Sequence, residues 1–380
     1  MNLFSAGVRA PLPSLDEKEK IAWLRLIRTE NIGPITFYQL LQNFGTAQKA
    51  IEALPTLSRK GGRLKGLKLC TPDAAIAEMQ ALEALGGKMI FAAEISYPLA
   101  LSAIEDAPPV LSVLGNVRLL NLPSIGIVGA RNASLNGRKF AEKLSKDLGN
   151  AGQMVVSGLA RGIDAAAHAG ALATGTIACV AGGADNIYPP ENTALYHQIR
   201  NEGCILAESP LGMEPMARHF PKRNRIISGL SAGIIVVEAT LKSGSLITAR
   251  MAAEQGRDVY AIPGHPFDPR AAGPNKLIQD GATLVLDAGD ILQNLADFSG
   301  SRQTLSEPPQ YQWQPEDLSE NDAEAVREII LQNLSSTPVT VDELVRTCHL
   351  TIPAAQMILL ELEIAGRIQR LPGNRVVLVN

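Results

Sequence analysis

The chain has 380 residues, 46% hydrophobic and 19% charged, which supplies cores for two or three domains and excludes a disordered protein. No apolar run reaches the ~18 residues of a membrane span, and the opening MNLFSAGVRAPLPSLDEKEK lacks a signal-peptide core, so a cytoplasmic protein with no membrane partner is expected. A net charge of −3 excludes a uniformly basic nucleic-acid coat, and Cys70, Cys179, Cys204 and Cys348 have neither metal nor disulfide spacing.

Residues 1–86 are expected to form a small helical domain. Ala22, Leu24, Leu26 and Ile27 begin an apolar-periodic run that Asn31-Ile32-Gly33-Pro34 breaks, and a second helix spans Ile35–Phe44. Helix, Ile-Gly-Pro, helix is the spacing of a helix-hairpin-helix, whose turn can approach a phosphate; a module that only packs fits the pattern more often. Ser58–Leu69 adds Arg59, Lys60, Arg63, Lys65 and Lys68 without an acid, more often a solvated loop than a binding patch.

Residues 87–298 change to short β-branched runs alternating with helices. Strands are expected at Lys88–Ala92, Val110–Leu114, Ser124–Val128, Met154–Ser157, Thr176–Ala181, Cys204–Ala207, Gly233–Glu238, Val259–Ile262 and Thr283–Leu286. Those from Ser124 on are continuously apolar, as strands covered on both faces are. Helices are expected at Ser134–Ala151, Ile163–Ala173, Thr193–Asn201, Arg223–Ser231, Ser245–Gln255, Asn275–Asp280 and Asp290–Ala296. The alternation predicts a doubly wound, mostly parallel α/β sheet. Residues 299–317 read as a linker. In 318–380, helices at Asn321–Leu334, Thr340–Thr347 and Ile352–Gly366 and a hairpin around Pro372-Gly373-Asn374 suggest a winged helix. Its third helix carries few cations and holds Glu361 and Glu363, so protein contact or packing is at least as good a reading as DNA binding.

In such a sheet, ligands gather at the carboxyl ends of the strands. There the sequence sets Gly129 to Ser134, Ser157 to Asp164, Gly182-Gly183 with Tyr188-Pro189, Glu238-Ala239 followed by Ser243-Gly244-Ser245, and Pro263-Gly264. Phe220-Pro221-Lys222-Arg223-Asn224-Arg225 stands ahead of a helix, and between Arg218 and Arg250 six basic residues meet one acid, Glu238. Glycine lets a backbone approach, serine donates a hydroxyl, and arginine forks onto phosphate oxygens, so together the turns point to a phosphate-bearing ligand. Neither G-x-G-x-x-G nor G-x-x-x-x-G-K-[ST] is present, and H-E-x-x-H and G-x-S-x-G are missing too. No catalytic residue, cofactor or metal is therefore expected. Asp164 and His168 fit a structural helix pair better than a catalytic dyad. Glu238 fits an orienting partner for Arg223 or Arg225 better than a catalytic carboxylate.

The blocks VGARNAS, SGLARGIDAAAH, YPPEN, FPKRNRIISGLS, VVEATLKSGSLITARMAAEQGR, AIPG and GPNKLIQDGA, in one co-linear series, resemble the DprA/Smf DNA-processing family. The resemblance implies a Rossmann-like core between a SAM-like or helix-hairpin-helix-like N-terminal domain and a winged-helix-like C-terminal one. It implies a non-catalytic homodimer that binds single-stranded DNA, protects incoming strands and loads the RecA recombinase in natural transformation. Its phosphate pocket falls on Gly129, Arg131, Ser157, Gly158, Arg161, Phe220, Arg223, Asn224, Arg225, Ser243, Gly244 and Ser245, with Lys222 and Lys242 as auxiliary cations. Ala130 stands where a serine is usual, and Pro190 where a basic residue is frequent. The alternative is a nucleotide ribohydrolase of the lysine-decarboxylase-like type, but Ala249 occupies the position of that family's catalytic glutamate.

Overall fold

Continuous apolar runs become strands buried on both faces, and the order in which they pair fixes where a ligand can sit. The computed structural model describes residues 15–63, 66–299, 320–371 and 373–379. Lys65, Pro372 and the expected linker beyond Ser299 lie outside the described residues. The chain divides into two compact units, Ala77–Ser306 and the joined chain ends Met1–Ile76 and Glu307–Asn380.

Four helices precede the sheet: α1 (Glu17–Arg28), α2 (Pro34–Phe44), α3 (Ala47–Lys60) and α4 (Pro72–Ala84). Asp16 and Thr46 cap α1 and α3 by accepting from the amides of Glu19 and Lys49, and Pro34 opens α2. Periodicity alone names the first two of these helices. It misses α3, which carries Pro55 in its interior, and α4.

Nine strands follow: β1 (Lys88–Phe91), β2 (Val110–Gly115), β3 (Ser124–Val128), β4 (Met154–Ser157), β5 (Thr176–Val180), β6 (Cys204–Ala207), β7 (Gly233–Val236), β8 (Asp258–Ala261) and β9 (Thr283–Leu284). They form one sheet ordered β1-β2-β6-β5-β4-β3-β7-β8-β9. From β6 to β9 every pairing is parallel, while β1 and β2 add antiparallel at one edge. Interleaved are α5 (Leu135–Asn150), α6 (Ile163–Ala171), α7 (Thr193–Glu202), α8 (His219–Leu230), α9 (Gly244–Glu254), α10 (Ala272–Gln279) and α11 (Ala288–Ser299). The fold is the expected doubly wound α/β sheet. Leu144 and Leu148 of α5 and Ala167 and Ala171 of α6 bury against Ile125, Ile127 and Ile235 on one face. Gly126 points the other way, where a Cβ would meet Ile234 and Ile227 of α8, so α8 covers the opposite face. The order reverses between β3 and β7, whose carboxyl ends flank the ligand crevice of this architecture.

In the other unit, α12 (Glu320–Asn333), β10 (Val339–Thr340), α13 (Val341–Thr347), α14 (Ile352–Ile364), β11 (Ile368–Leu371) and β12 (Arg375–Leu378) form a winged helix with sheet order β10-β12-β11. Ile358, Leu359 and Leu362 of α14 enter its core with Ile330, Leu344 and Val376. The same helix also packs on the N-terminal helices. Asn31 Nδ2 donates to the Ile364 carbonyl at 3.3 Å, and a Cβ on Gly61 would lie 2.1 Å from the Glu361 carbonyl oxygen. No described helix is long and apolar enough to cross a membrane.

Candidate nucleic-acid interface

Three helix starts and the turn after β3 build the candidate site. Gly129 ends β3 where any side chain would strike Ile163 and the Glu238 carbonyl, so only glycine lets the two strand ends close. Ala130 donates its amide to that carbonyl, and Arg131 emerges exposed beyond it. Its guanidinium carbon lies 5.1 Å from the centre of the Phe220 ring, a cation–π contact, and Tyr188 stands 5.8 Å from the same ring. Ser243 caps α9, its hydroxyl accepting from the Ser245 amide and meeting the Ser245 hydroxyl at 2.7 Å. Gly244 beside it faces open space.

These groups surround an open groove of about 930 Å³, lined by Gly129, Arg131, Asn132, Phe220, Arg223, Asn224, Ser243, Gly244 and Ser245. A narrower recess of about 200 Å³ adjoins it, lined by Gly158, Arg161, Tyr188 and Glu191, and shares Arg131, Phe220 and Arg223 with the groove. Arg161 is exposed and ion-paired with Glu191 at 3.1 Å, a contact in water that a phosphate can replace.

Arg223 has a different task. It is buried, and one Nη donates to the carbonyls of both Gly158 and Cys179, tying the turn after β4 to β5. A Cβ on Gly158 would overlap this guanidinium, which is why glycine stands there. Burial lowers the Arg223 pKa against the pull of Asp164. Asp164, nearly buried in the groove lining, accepts from the amides of Gly158 and Ala160; burial raises its pKa, while Arg223 and those amides oppose the shift. Arg223 thus floors the groove and brings positive charge to its base.

Four expected contacts do not line the groove or the recess. Ser157 is buried, its hydroxyl donating to the Ile127 carbonyl at 2.6 Å as a latch between β4 and β3. Arg225 is held inside the protein, 2.5 Å from Glu208 and 3.4 Å from a carboxylate oxygen of Asp106, with a further bond to the Asp106 carbonyl. Burial alone would lower its pKa, but Glu208 and Asp106 outweigh burial and raise it. Lys222 and Lys242 are exposed outside both cavities. Two further expectations are corrected. Glu238 orients neither Arg223 nor Arg225; it holds Ser134, the N-cap of α5, accepting from its amide at 2.8 Å and its hydroxyl at 2.5 Å. His168 does not pair with Asp164, because its Nδ1 meets the Thr176 hydroxyl at 2.7 Å. Burial, then the charge of Arg223, lowers its pKa to about 3. No group of metal-ligating side chains occurs among the described residues.

Comparison with known proteins places these features in a family. Residues 88–296 match the family model of DNA recombination-mediator protein A, 17–81 that of the DprA-like N-terminal HHH domain, and 314–374 that of the DprA winged helix domain. The chain belongs to the DprA/Smf family. It is 33% identical to Protein Smf of Synechocystis sp., with 94% of this chain and 98% of that one aligned. With DNA processing protein DprA of Bacillus subtilis it shares 48% identity over 52% of this chain and 68% of that protein. Among solved structures, DprA of Streptococcus pneumoniae superposes with a TM-score of 0.61 at 35% identity, over 73% of this chain and 98% of that one. DNA processing protein A of Helicobacter pylori, a structure described for its single-stranded DNA binding mode, gives 0.52 at 28% identity, over 56% and 96%.

In this DprA/Smf chain the groove also recruits residues that sequence reasoning left out. Thr240, Thr248 and Arg270 line its wall, and Asp268 holds Arg270 through two bonds of 3.1 Å. Arg270 lies after β8, beyond the Pro263-Gly264 turn where attention stopped, and no local motif marks it. Tyr188 was visible beside Pro189; its place in the lining of both cavities and its ring contact with Phe220 assign it to the site.

Proposed function

We propose that this chain binds single-stranded DNA along the groove at the ends of β3 and β7, holding it without chemistry. The observation that carries the reading is the convergence of Arg131, Phe220, Tyr188, Arg223 and the Ser243–Ser245 turn on one open surface. Cations and amide groups suit phosphates, and the Phe220–Tyr188 pair offers bases a face on which to stack. The carboxylates beside the groove support binding over hydrolysis: Glu238 is spent on Ser134, Asp268 on Arg270, and Asp164 on the Gly158 and Ala160 amides. Ala249, where the ribohydrolase glutamate would fall, is buried at 1% exposure.

Family membership extends the proposal to DNA processing in natural transformation, with protection of incoming strands and loading of RecA. Leu284 and Leu286, exposed at the β9 edge of the sheet, support pairing with a second copy. The deciding experiment measures binding of an oligothymidylate by Arg131→Ala across a salt series. We expect a loss of about 10-fold or more, as for a charged hydrogen bond worth roughly 1.5–3 kcal/mol, and a log–log salt slope shallower by about 0.7. Wild-type affinity and slope in this variant would overturn the assignment.

A further inference from the structure

The winged helix in this chain turns inward most of its third helix, the element by which such a domain enters a DNA groove. From Ile358 to Ile364 every residue of this third helix, α14, is buried, while Ile352 at the helix start is exposed. Leu359 and Leu362 face its own core, Glu361 pairs with Arg327 at 2.9 Å, and Glu363 sits 3.5 Å from Arg370 and against Thr36 of α2. The end of α14 closes on the α1–α2 turn through Asn31 and on the end of α3 through Gly61. Helix hairpin and third helix, the elements of these modules that approach DNA, are thereby packed against each other.

What the pairing leaves outward is positive. Arg59, Lys60 and Lys68 are exposed, and so is Arg367, which comes from the wing. A Cβ on Gly62 would lie 3.4 Å from Arg367 Nη1, so the wing cation rests on the residue that follows the basic end of α3. Glu30 is the acid at this place, and Arg63 takes it at 2.8 Å. Cations some three hundred residues apart in sequence are thus brought together with little opposite charge, a repulsive arrangement that a polyanion relieves. The exposed large apolar side chains described in this unit are Ile329, Ile352 and Val379, none aromatic, so a protein partner finds no aromatic anchor there.

We propose that Arg59, Lys60, Lys68 and Arg367 form a second nucleic-acid surface, one that holds the sugar–phosphate chain of a bound strand by charge alone. The proposal rests on the single-strand reading of the core groove and adds a site to it. The test uses the full chain carrying Lys60→Glu with Arg367→Glu, its fold checked by thermal melting. Binding is measured on a short oligothymidylate of about 8 nucleotides and a long one several times that length. For the long strand we expect an affinity loss of about 10-fold at low salt and a salt slope shallower by at least about 1.4, two phosphate contacts at about 0.7 each. The short strand should bind as it does to the wild type, and Lys60→Arg with Arg367→Lys should restore long-strand binding. An unchanged long-strand affinity and slope overturn the proposal, and so does an equal loss on both strands, which would report damage to the fold. Arg131→Ala separates the two sites: it should weaken both strand lengths, and failure to do so counts against the core groove while leaving this surface standing.

Discussion

Arg225 separates a residue that touches a ligand from one that holds the site together. Its guanidinium satisfies Glu208, the Asp106 carboxylate and the Asp106 carbonyl, with the two carboxylate side chains only 21% and 15% exposed. Arg225→Ala leaves both acids facing an empty space. Removing one partner of a fully buried ion pair costs about 3–5 kcal/mol, and the water that still reaches these carboxylates reduces this to roughly 2–4. For a unit of this size each kcal/mol moves the melting temperature by about 2–4 °C, so a drop of about 6–12 °C is expected for a loss near 3 kcal/mol. Thermal unfolding by circular dichroism measures it, beside oligothymidylate binding well below the transition. At low temperature the variant should bind within a few-fold of wild type, and Glu208→Gln in the same chain should recover part of the stability, since one of the stranded charges is gone. Unchanged melting with collapsed binding would refute this reasoning and put Arg225 on the DNA after all.

Phe220→Ala with Tyr188→Ala should weaken single-strand binding by roughly 1–3 kcal/mol per stacked base while leaving the salt slope as it is, the reverse of the Arg131→Ala signature; titrations at several salt concentrations distinguish them. His168 has a folded pKa of about 3, below the 6.5 of the free side chain, because burial and then Arg223 disfavour the cation. The unfolded chain therefore binds the proton first, and stability present above pH 6.5 is lost on acidification, by roughly 2 kcal/mol between pH 6.5 and 5. Urea unfolding at the two pH values checks this, and His168→Asn should flatten the dependence. Gly61→Ala drives a methyl into the Glu361 carbonyl and should loosen α14 from α3, read as faster proteolysis of the chain ends with oligothymidylate binding by the core preserved.

The sheet was legible because buried parallel strands leave an unbroken apolar signature: Ser124–Val128, Met154–Ser157 and Cys204–Ala207 begin and end where the sequence puts them. β9 stops at Leu284 instead of Leu286, at an edge where pairing on one side gives little reason to continue. The groove was legible as a set of turns, since Gly129, Gly158 and Gly244 mark the strand ends and helix starts. Which cation would face it was not. A sequence lists charges without the acids they meet, and Asp106 and Glu208, on different turns, decide the fate of Arg225. The union of the chain ends was equally hidden: Glu361 and Glu363 pointed to packing or protein contact without naming a partner, and in the fold Arg327 and Arg370 meet them.

The segment Phe220 to Arg225 shows why residue type alone was insufficient. With the helix expected only from Arg223, the segment's cations stand at the helix start and all are free to converge. The helix in fact begins at His219, with Pro221 in its first turn, where a missing N–H is tolerated. Helical spacing then sorts the segment. Phe220, Arg223, Asn224 and Ile227 fall at i, i+3, i+4 and i+7 on one face, and all four line the groove. Arg225, at i+5, turns away toward Asp106 and Glu208, and Lys222, at i+2, leaves the groove for solvent. One contact aromatic, one floor arginine and one interior brace thus arise from six consecutive residues.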